Sequence, residues 1–410
     1  MKISICTPTH QPTYLLEAYH SLKLQTLQDW EWVIFPSGNN VTIPDAIRSD
    51  SRVKIVSGNP LHNIGAIKRK TFSAATGDIL VELDHDDLIV PGNSLEVIKR
   101  QFLDGAGFVY SDNAVFKFNP KALDSKNRFI EFTWSGHHGW ESYTIEVYGR
   151  KLKASKCFDI TPRSLAEIYY CPDHVRCWHR DVYQKAGGHN PDLSVCDDQE
   201  LMIKTYLTGA KFQHTGGCHY LYRLFGNNTI YSRQKQIQEA TQKFKVIYLN
   251  KLIKEWIKRN SFAELDISRL RKNGWHPDRH LMQGFGENEW GHIIADSELQ
   301  KMTGPQVREF MNLAYCSLVP GGYLTIIVPE VHSGMAFADV EWKSHFSAVS
   351  MYPYTRKDFA RDNGNIRCRY QQINCTEVYP SEWHKNNGFK FLRFELVALK
   401  GQRHPALQHI

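Results

Sequence analysis

Gly77-Asp78-Ile79-Leu80-Val81-Glu82-Leu83-Asp84-His85-Asp86-Asp87 is the stretch on which the reading of the chain turns. Its aliphatic first half predicts a buried strand, which stops abruptly in three carboxylates and a histidine before the turn pair Pro91-Gly92. Carboxylates crowd together at a strand end when they share a cation. Asp84 and Asp86 are two residues apart, so an extended segment sends both side chains to one side, where they can converge on an ion or its water shell. Hard oxygen ligands suit Mn2+ or Mg2+, cations that bridge readily to a diphosphate. An acidic loop could instead do no more than cap the helix expected from near Asn93. The residues upstream favour the cation.

Lys2-Ile3-Ser4-Ile5-Cys6-Thr7-Pro8-Thr9-His10 predicts a short strand that stops near a proline, and Leu15, Ala18, Tyr19 and Leu22 place an apolar stripe on a helix over Tyr14 to Gln25. A second strand, Trp30 to Phe35, ends in Pro36-Ser37-Gly38-Asn39-Asn40, and a third, Arg52 to Val56, ends at Ser57-Gly58. A helix carrying Lys68-Arg69-Lys70 then leads into the acidic strand. This order is that of a doubly wound α/β sheet, whose ligands bind beyond the carboxyl ends of the strands.

Several ordered segments carry a resemblance. Thr7-Pro8-Thr9, the helix end Gln25-Thr26, Asp29-Trp30-Glu31-Trp32-Val33-Ile34, Thr76-Gly77-Asp78-Ile79 and Leu83-Asp84-His85-Asp86-Asp87 together resemble the family 2 glycosyltransferases of the GT-A fold, over roughly the first 230 residues. The resemblance implies a mostly parallel, Rossmann-like sheet and an inverting transferase. It also implies a nucleotide-sugar donor, a UDP-sugar, and a divalent cation on Asp84 and Asp86. Around the donor it places Thr7, Pro8, Thr9, Ser37, Lys68, Asp84, His85 and Asp86. Lys68 takes the place of an arginine near the diphosphate, although all three of Lys68-Arg69-Lys70 could equally form a solvated helix face. Pro36-Ser37 replaces the usual aspartate pair that reads the base, leaving Ser37 as a hydrogen-bonding group there.

Further on, Tyr170-Cys171-Pro172-Asp173-His174-Val175-Arg176-Cys177-Trp178-His179-Arg180 predicts a strand, followed by an Arg-x-x-Tyr helix and the turn Gly187-Gly188. Cys196-Asp197-Asp198-Gln199-Glu200-Leu201 then stands where similar enzymes carry Glu-Asp at a helix start, so Asp197 takes the glutamate place and Asp198 that of the base. Displacing a nucleoside diphosphate from a sugar carbon with inversion needs a base for the proton of the attacking hydroxyl, and a carboxylate can serve. Either aspartate alone could be a helix N-cap. Asp173 and His174 could orient donor or acceptor hydroxyls, or form a satisfied buried pair. Between them and the acidic strand, a helix from Ser94 to Phe102, a strand from Gly107 to Ser111 and a polar turn at Asp112-Asn113 are expected. From about Phe118 to Ile168 the periodicity fades, and Phe132-Thr133-Trp134-Ser135-Gly136-His137-His138-Gly139-Trp140 reads as acceptor-side loops. After Arg223 similar enzymes often carry a histidine that completes the metal shell; here it is Phe225.

The 410 residues exceed one ordinary core, and 42% hydrophobic with 23% charged is the balance of a globular protein. No stretch approaches the ~20 apolar residues of a membrane span, and the chain enters a strand without a signal peptide. A cytoplasmic enzyme is expected, with peripheral association at the inner face of the membrane as a further reading. The nine cysteines are scattered and lack any Cys-x-x-Cys pair, which argues against a zinc ribbon or disulfide framework. The net charge of +7 is spread along the chain, so anionic ligands are expected rather than nucleic acid.

Residues 1–231 are read as the transferase domain, 232–260 as an amphipathic connecting helix with Ile237, Phe244, Tyr248, Leu252 and Trp256 on one stripe, and 261–410 as a smaller α/β domain. The stripe or the last domain could serve self-association. Leu318-Val319-Pro320-Gly321-Gly322-Tyr323-Leu324-Thr325-Ile326 resembles the back half of class I methyltransferases that use S-adenosylmethionine. No Gly-x-Gly loop closely follows Leu265-Asp266-Ile267, and Leu299-Gln300-Lys301 replaces the usual Leu-Glu-His, so a degenerate module is expected. The whole reads as a transferase moving a sugar to a glycan or other hydroxyl acceptor, as in polysaccharide biosynthesis. A non-catalytic sugar-binding or assembly protein, and a bifunctional glycosyltransferase-methyltransferase, are the alternatives.

Overall fold

A computed structural model describes residues 1–38, 41–59, 61–118, 129–131, 141–224, 228, 232–272, 285–360 and 365–401. The chain divides into two compact units, the first holding Met1–Glu255 and the second Trp256–His404. The division falls inside one long helix, Gln234–Asn260. Along it Ile237, Phe244, Leu252 and Trp256 are buried, and Tyr248 is half-buried.

Among the described residues, the first unit is built on an eleven-stranded sheet. Its strands in chain order are β1 Ile3–Thr9, β2 Trp30–Pro36, β3 Val53–Ile55, β4 Ile79–Glu82, β5 Leu88–Ile89, β6 Phe108–Phe118, β7 Phe129–Glu131, β8 Ser142–Val147, β9 Arg150–Ser155, β10 Arg176–His179 and β11 Phe212–Leu224. Across the sheet they run β3-β2-β1-β4-β10-β6-β11-β5. β3, β2, β1 and β4 are parallel neighbours, whereas β10 is antiparallel to both β4 and β6. Such a sheet must be covered on both faces, which is why these strands read as continuous apolar runs rather than alternating ones. Ile3, Ile5, Trp30, Trp32, Ile34, Ile79 and Val81 supply its core. The helix Leu15–Lys23 buries Leu15, Ala18, Tyr19 and Leu22, the stripe its spacing predicts, and Tyr19 stacks on Trp32 at 6.1 Å. Each such side chain removed from water contributes roughly 1.5–3 kcal/mol.

Two close approaches require glycine, one at the entry to β4 and one in the helix Ile64–Ser73. Any Cβ at Gly77 would lie 2.6 Å from the Lys2 carbonyl, and one at Gly65 would lie 1.8 Å from that of Asn190. Glycine is therefore required at both. Arg180 caps the entry to β4, its Nε donating to the Gly77 carbonyl at 2.7 Å.

Three expectations are corrected. Asp112-Asn113 is no turn, because β6 continues to Phe118 with both residues buried in it. The stretch from Phe118 to Ile168, where the sequence periodicity fades, contains the hairpin β8–β9 and a helical turn, Pro162–Glu167. Its turn, Tyr148-Gly149, takes positive φ at both residues. The run Phe132 to Trp140, with His137 and His138, lies outside the described residues, as do Asn39, Asn40 and Phe225. Finally, Asp84 to Asp87 is a turn, closed by the Asp87 N–H on the Asp84 carbonyl at 3.2 Å, and does not extend the strand.

The second unit holds β12 Ala263–Asp266, β13 Trp290–Asp296, β14 Leu318–Pro329, β15 Tyr370–Val378 and β16 Phe391–Ala398, ordered β12-β13-β14-β16-β15. The first three are parallel and β16 is antiparallel to both neighbours. The capping box at Thr303 starts the helix Gly304–Ser317, which buries Val307, Phe310, Met311 and Ala314. No described helix is long and apolar enough to cross a membrane.

Candidate active site

The carboxyl ends of β2, β1 and β4 lie side by side, and the antiparallel β10 brings its amino end against the end of β4, with Arg176 opposite Glu82. Most sequence-selected groups gather there. Thr7, Pro8 and Thr9 are buried at the end of β1. The Thr7 hydroxyl accepts the Trp32 indole N–H at 2.8 Å, while the Thr9 hydroxyl donates to the Gln11 carbonyl at 2.6 Å. Ser37 donates to the Thr9 carbonyl from its backbone at 2.8 Å and from its hydroxyl at 3.2 Å. These residues hold the strand ends together, and of the four only Ser37 is partly open.

Beyond β4, the Asp84 side chain is 31% exposed and that of Asp86 15%. Burial first, then the charge of Asp84, pushes the Asp86 carboxyl up to about 7. His85 packs edge-on against His10 at 4.7 Å, with Gln11 Nε2 3.4 Å from its Nε2; burial, then His10, pushes it down to about 4. Asp87 is buried and accepts the Arg223 backbone N–H at 2.7 Å. Arg223 also donates from Nε to the Asp86 carbonyl at 2.6 Å and pairs with Glu17 at 2.6 Å. β11 therefore clamps the acidic turn.

A buried charge cluster lies beneath it. Glu82, fully buried, pairs with Lys68, with Arg176 Nη1 at 3.7 Å and with His174 Nε2 at 4.0 Å. Burial pushes the Glu82 carboxyl up, but Lys68 and Arg176 outweigh it and hold it well below the usual range. Lys68 is thus engaged inside the protein. Its neighbour Arg69 donates to the His189 carbonyl at 2.6 Å, and Lys70 is exposed.

Asp198, the second residue of the helix Asp197–Leu207, hydrogen-bonds to Arg176 Nη1. The same nitrogen lies 3.4 Å from His174 Nε2, which lies 3.8 Å from Asp84 Oδ2. Two side chains thus connect the proposed base to the acidic turn. Asp173 holds His174, accepting its backbone N–H at 2.8 Å with ring Nδ1 3.2 Å away, and the imidazole stacks on Tyr220 at 4.8 Å. Asp197 is directed elsewhere: its carboxylate meets buried His189 Nδ1 at 2.9 Å and its side chain is 4% exposed.

Sequence reasoning assigned no role to Glu82, Arg176 or Arg223. The signal was present for the first two, each a charge inside an aliphatic or aromatic strand, Ile79-Leu80-Val81-Glu82-Leu83 and Val175-Arg176-Cys177-Trp178. Charges at such positions are almost never buried unless paired. Nothing local marks which partner each would find.

Residues 4–164 match the family model described as Glycosyl transferase family 2. That segment contains Asp84 and Asp86, whereas Asp173 to Asp198 lie beyond it. Putative glycosyltransferase EpsH of Bacillus subtilis (strain 168) is 22% identical over 232 residues, 56% of this chain and 62% of that relative, so the match spans less than two thirds of it. Among solved structures, S. aureus TarS 1-349 in complex with UDP gives a TM-score of 0.40 at 14% identity, covering 77% of this chain and 87% of that one. The complex of the same protein with UDP-GlcNAc gives 0.40 at 12% identity over 77% and 82%. The match to the family model thus falls within the N-terminal unit, on a mixed α/β fold.

Proposed function

We propose that the first unit transfers a sugar from a nucleotide diphosphate donor, a UDP-sugar, to a hydroxyl of a glycan acceptor with inversion at the anomeric carbon. One observation carries this reading: the fold draws Asp198 to within two side chains of the acidic turn that follows β4. The acceptor oxygen attacks the anomeric carbon, its proton passes to the Asp198 carboxylate, and the bonding pair to the departing oxygen leaves with the diphosphate. Ser37 faces the donor from the strand end that Thr9 holds in place, Arg223 holds the acidic turn, and His174, fixed by Asp173, lies between turn and base.

The donor set fits a divalent cation, Mn2+ or Mg2+, on Asp84 and Asp86. A carboxyl driven up to about 7 by burial and a neighbouring carboxylate is one short of positive charge. Among the described residues no group of three His, Cys, Asp or Glu side chains is arranged to hold a metal, so phosphate and water would complete the shell, as is usual for magnesium. When bound, the cation neutralises charge on the departing diphosphate.

Transfer and hydrolysis across a panel of nucleotide sugars, comparing the parent with Asp198→Asn, test this reading. The parent should turn over a UDP-sugar, and the variant should lose about 10²–10⁴ in kcat. Full activity of Asp198→Asn would remove the base from 198.

The second unit is best read as a methyltransferase-like remnant with a supporting role. β12 forms an edge of its sheet, and the end of β12 is closed on itself, Asp266 accepting both the backbone N–H and the hydroxyl of Ser268 at 3.0 and 2.6 Å. Methyl transfer from labelled S-adenosylmethionine would overturn that reading in favour of a bifunctional enzyme.

A further inference from the structure

Arg176 sits on β10 between β4 and β6, its side chain 1% exposed. A guanidinium so placed needs acceptors for its donors. Nε donates to the Pro172 carbonyl at 2.9 Å and Nη1 to Asp198 Oδ2. The other Asp198 oxygen accepts the Gln199 backbone N–H at 2.8 Å. The carboxylate is therefore fixed at both ends, by its own helix and by the neighbouring strand, while its side chain stays 21% exposed. An oriented carboxylate with open lone pairs is the geometry a general base needs.

We infer that Arg176 is the positioning residue of the Asp198 base, holding that carboxylate both aimed and ionised for the acceptor hydroxyl. This rests on the reading of Asp198 as base. The charged and titratable groups that face Asp198 are Arg176 from β10, Lys68 from the helix Ile64–Ser73, Glu82 from β4 and His174 from the segment before β10, with Asp197 and Cys196 adjoining it in sequence. Burial pushes the Asp198 carboxyl up, but Arg176 first and Lys68 next outweigh it and hold it below its ordinary value, with Glu82 opposing them. Lys68 is already matched by Glu82. Removing Arg176 leaves buried Glu82 and partly exposed Asp198 facing one ammonium, and Asp198, the one with access to water, then takes up a proton.

Arg176→Gln and Arg176→Lys in the full chain test this with two readouts. The first is Asp198 ionisation, followed by carboxyl ¹³C NMR of aspartate-labelled protein and assigned by the resonance missing in Asp198→Asn. Its midpoint should rise by about 1–3 units in Arg176→Gln and return toward the parent in Arg176→Lys. The second is the pH profile of kcat/KM with UDP-glucose or UDP-N-acetylglucosamine, whichever the parent turns over. The acid limb should move with the NMR midpoint in Arg176→Gln. In Arg176→Lys it should stay, while kcat falls about 10-fold and donor KM holds, because a single ammonium cannot reproduce the guanidinium fork. A lowered Tm with an unmoved midpoint and acid limb would reduce Arg176 to a structural role and overturn the inference. Should Arg176→Gln not fold, Arg176→Lys decides: reduced kcat on the parental limb supports the inference, and parental kcat overturns it. If the parent turns over no nucleotide sugar while the NMR midpoint still moves, the base assignment falls and the Arg176–Asp198 coupling stands.

Discussion

The two ends of the first unit's sheet treat a carboxylate in opposite ways. At the amino end of β2, Glu31 accepts from the Ser4 hydroxyl and the Thr76 N–H, each at 2.5 Å, from the Thr76 hydroxyl at 2.8 Å and from Lys2 at 3.1 Å. At the carboxyl end of β4, Asp86 has the charge of Asp84 beside it and is pushed up to about 7, whereas Glu31 is held at about 2. Burial raises both. What separates them is whether the fold supplies donors. A carboxylate completed by the protein is part of the scaffold, and one left wanting positive charge marks where a ligand completes it.

The buried cluster under the acidic turn tests that comparison most severely, because it combines both traits. Lys68, Arg176 and His174 converge on Glu82, yet its Oε2 has no hydrogen-bond partner among the described residues. In Glu82→Gln, two buried cations keep only Asp198 between them. Removing one partner from a buried charge network costs about 3–5 kcal/mol, so denaturant unfolding of the first unit should shift by that amount. A change below about 1 kcal/mol would mean that Lys68 and Arg176 relax toward water, and the cluster could not then hold Asp198 in place.

How much of this the sequence carried follows from the range of each interaction. The strands β1 to β4, the stripe of the first helix and the acidic strand end were legible because period and turn chemistry are local. Asp198 could be put forward as a candidate base only through resemblance, since nothing in Cys196-Asp197-Asp198 distinguishes a base from an N-cap. The structure separates the pair by partner: Asp197 faces buried His189 and Asp198 faces Arg176. Lys68 shows the converse, since a Lys-Arg-Lys run reads as a solvated face until β4 is placed beside it. The hairpin β8–β9 was missed although Tyr143, Ile145 and Val147 alternate along β8. Short alternation next to polar, glycine-rich sequence is a weak signal, and pairing with β6 through β9 is what fixes it.

The second unit sharpens the same comparison with a polar ladder that is complete, buried at His292, Thr325 and Glu395 and open to solvent at Glu264. Glu264 Oε2 lies 2.9 Å from His292 Nδ1, His292 Nε2 lies 2.8 Å from the Thr325 hydroxyl, and that hydroxyl donates to Glu395 at 2.6 Å, where Arg393 also donates at 2.5 Å. The ladder crosses β12, β13, β14 and β16 and specifies their pairing. Thr325→Val keeps the shape and leaves His292 and Glu395 each short of a bond, at a cost of about 1–3 kcal/mol. The loss should appear in the unfolding of the second unit, with sugar transfer unchanged. A fall in transfer rate without a fall in stability would instead make the ladder part of the catalytic apparatus.

The smallest effect is expected at Glu31, and its sign is fixed by pH. Burial pushes this carboxyl up, but the Ser4 hydroxyl, the Thr76 N–H and hydroxyl, and Lys2 together bring it from an ordinary 4.5 to about 2 in the folded chain. A carboxyl lowered by folding contributes stability that is fully present above its unfolded value and is lost as pH falls through the folded one. Glu31→Gln should therefore be less stable than the parent at pH 7, and the difference in Tm should close as pH falls through 4.5 toward 2. Linkage alone would make the drop from 4.5 to about 2 worth about 3 kcal/mol, but solvent around the 44% exposed Lys2 screens it, so the gap at neutral pH should be only a few degrees, roughly what 1 kcal/mol produces in a unit of this size. A gap independent of pH would show that the glutamate contributes by packing, and the contrast between the two ends of the sheet would then rest on burial instead of on donors.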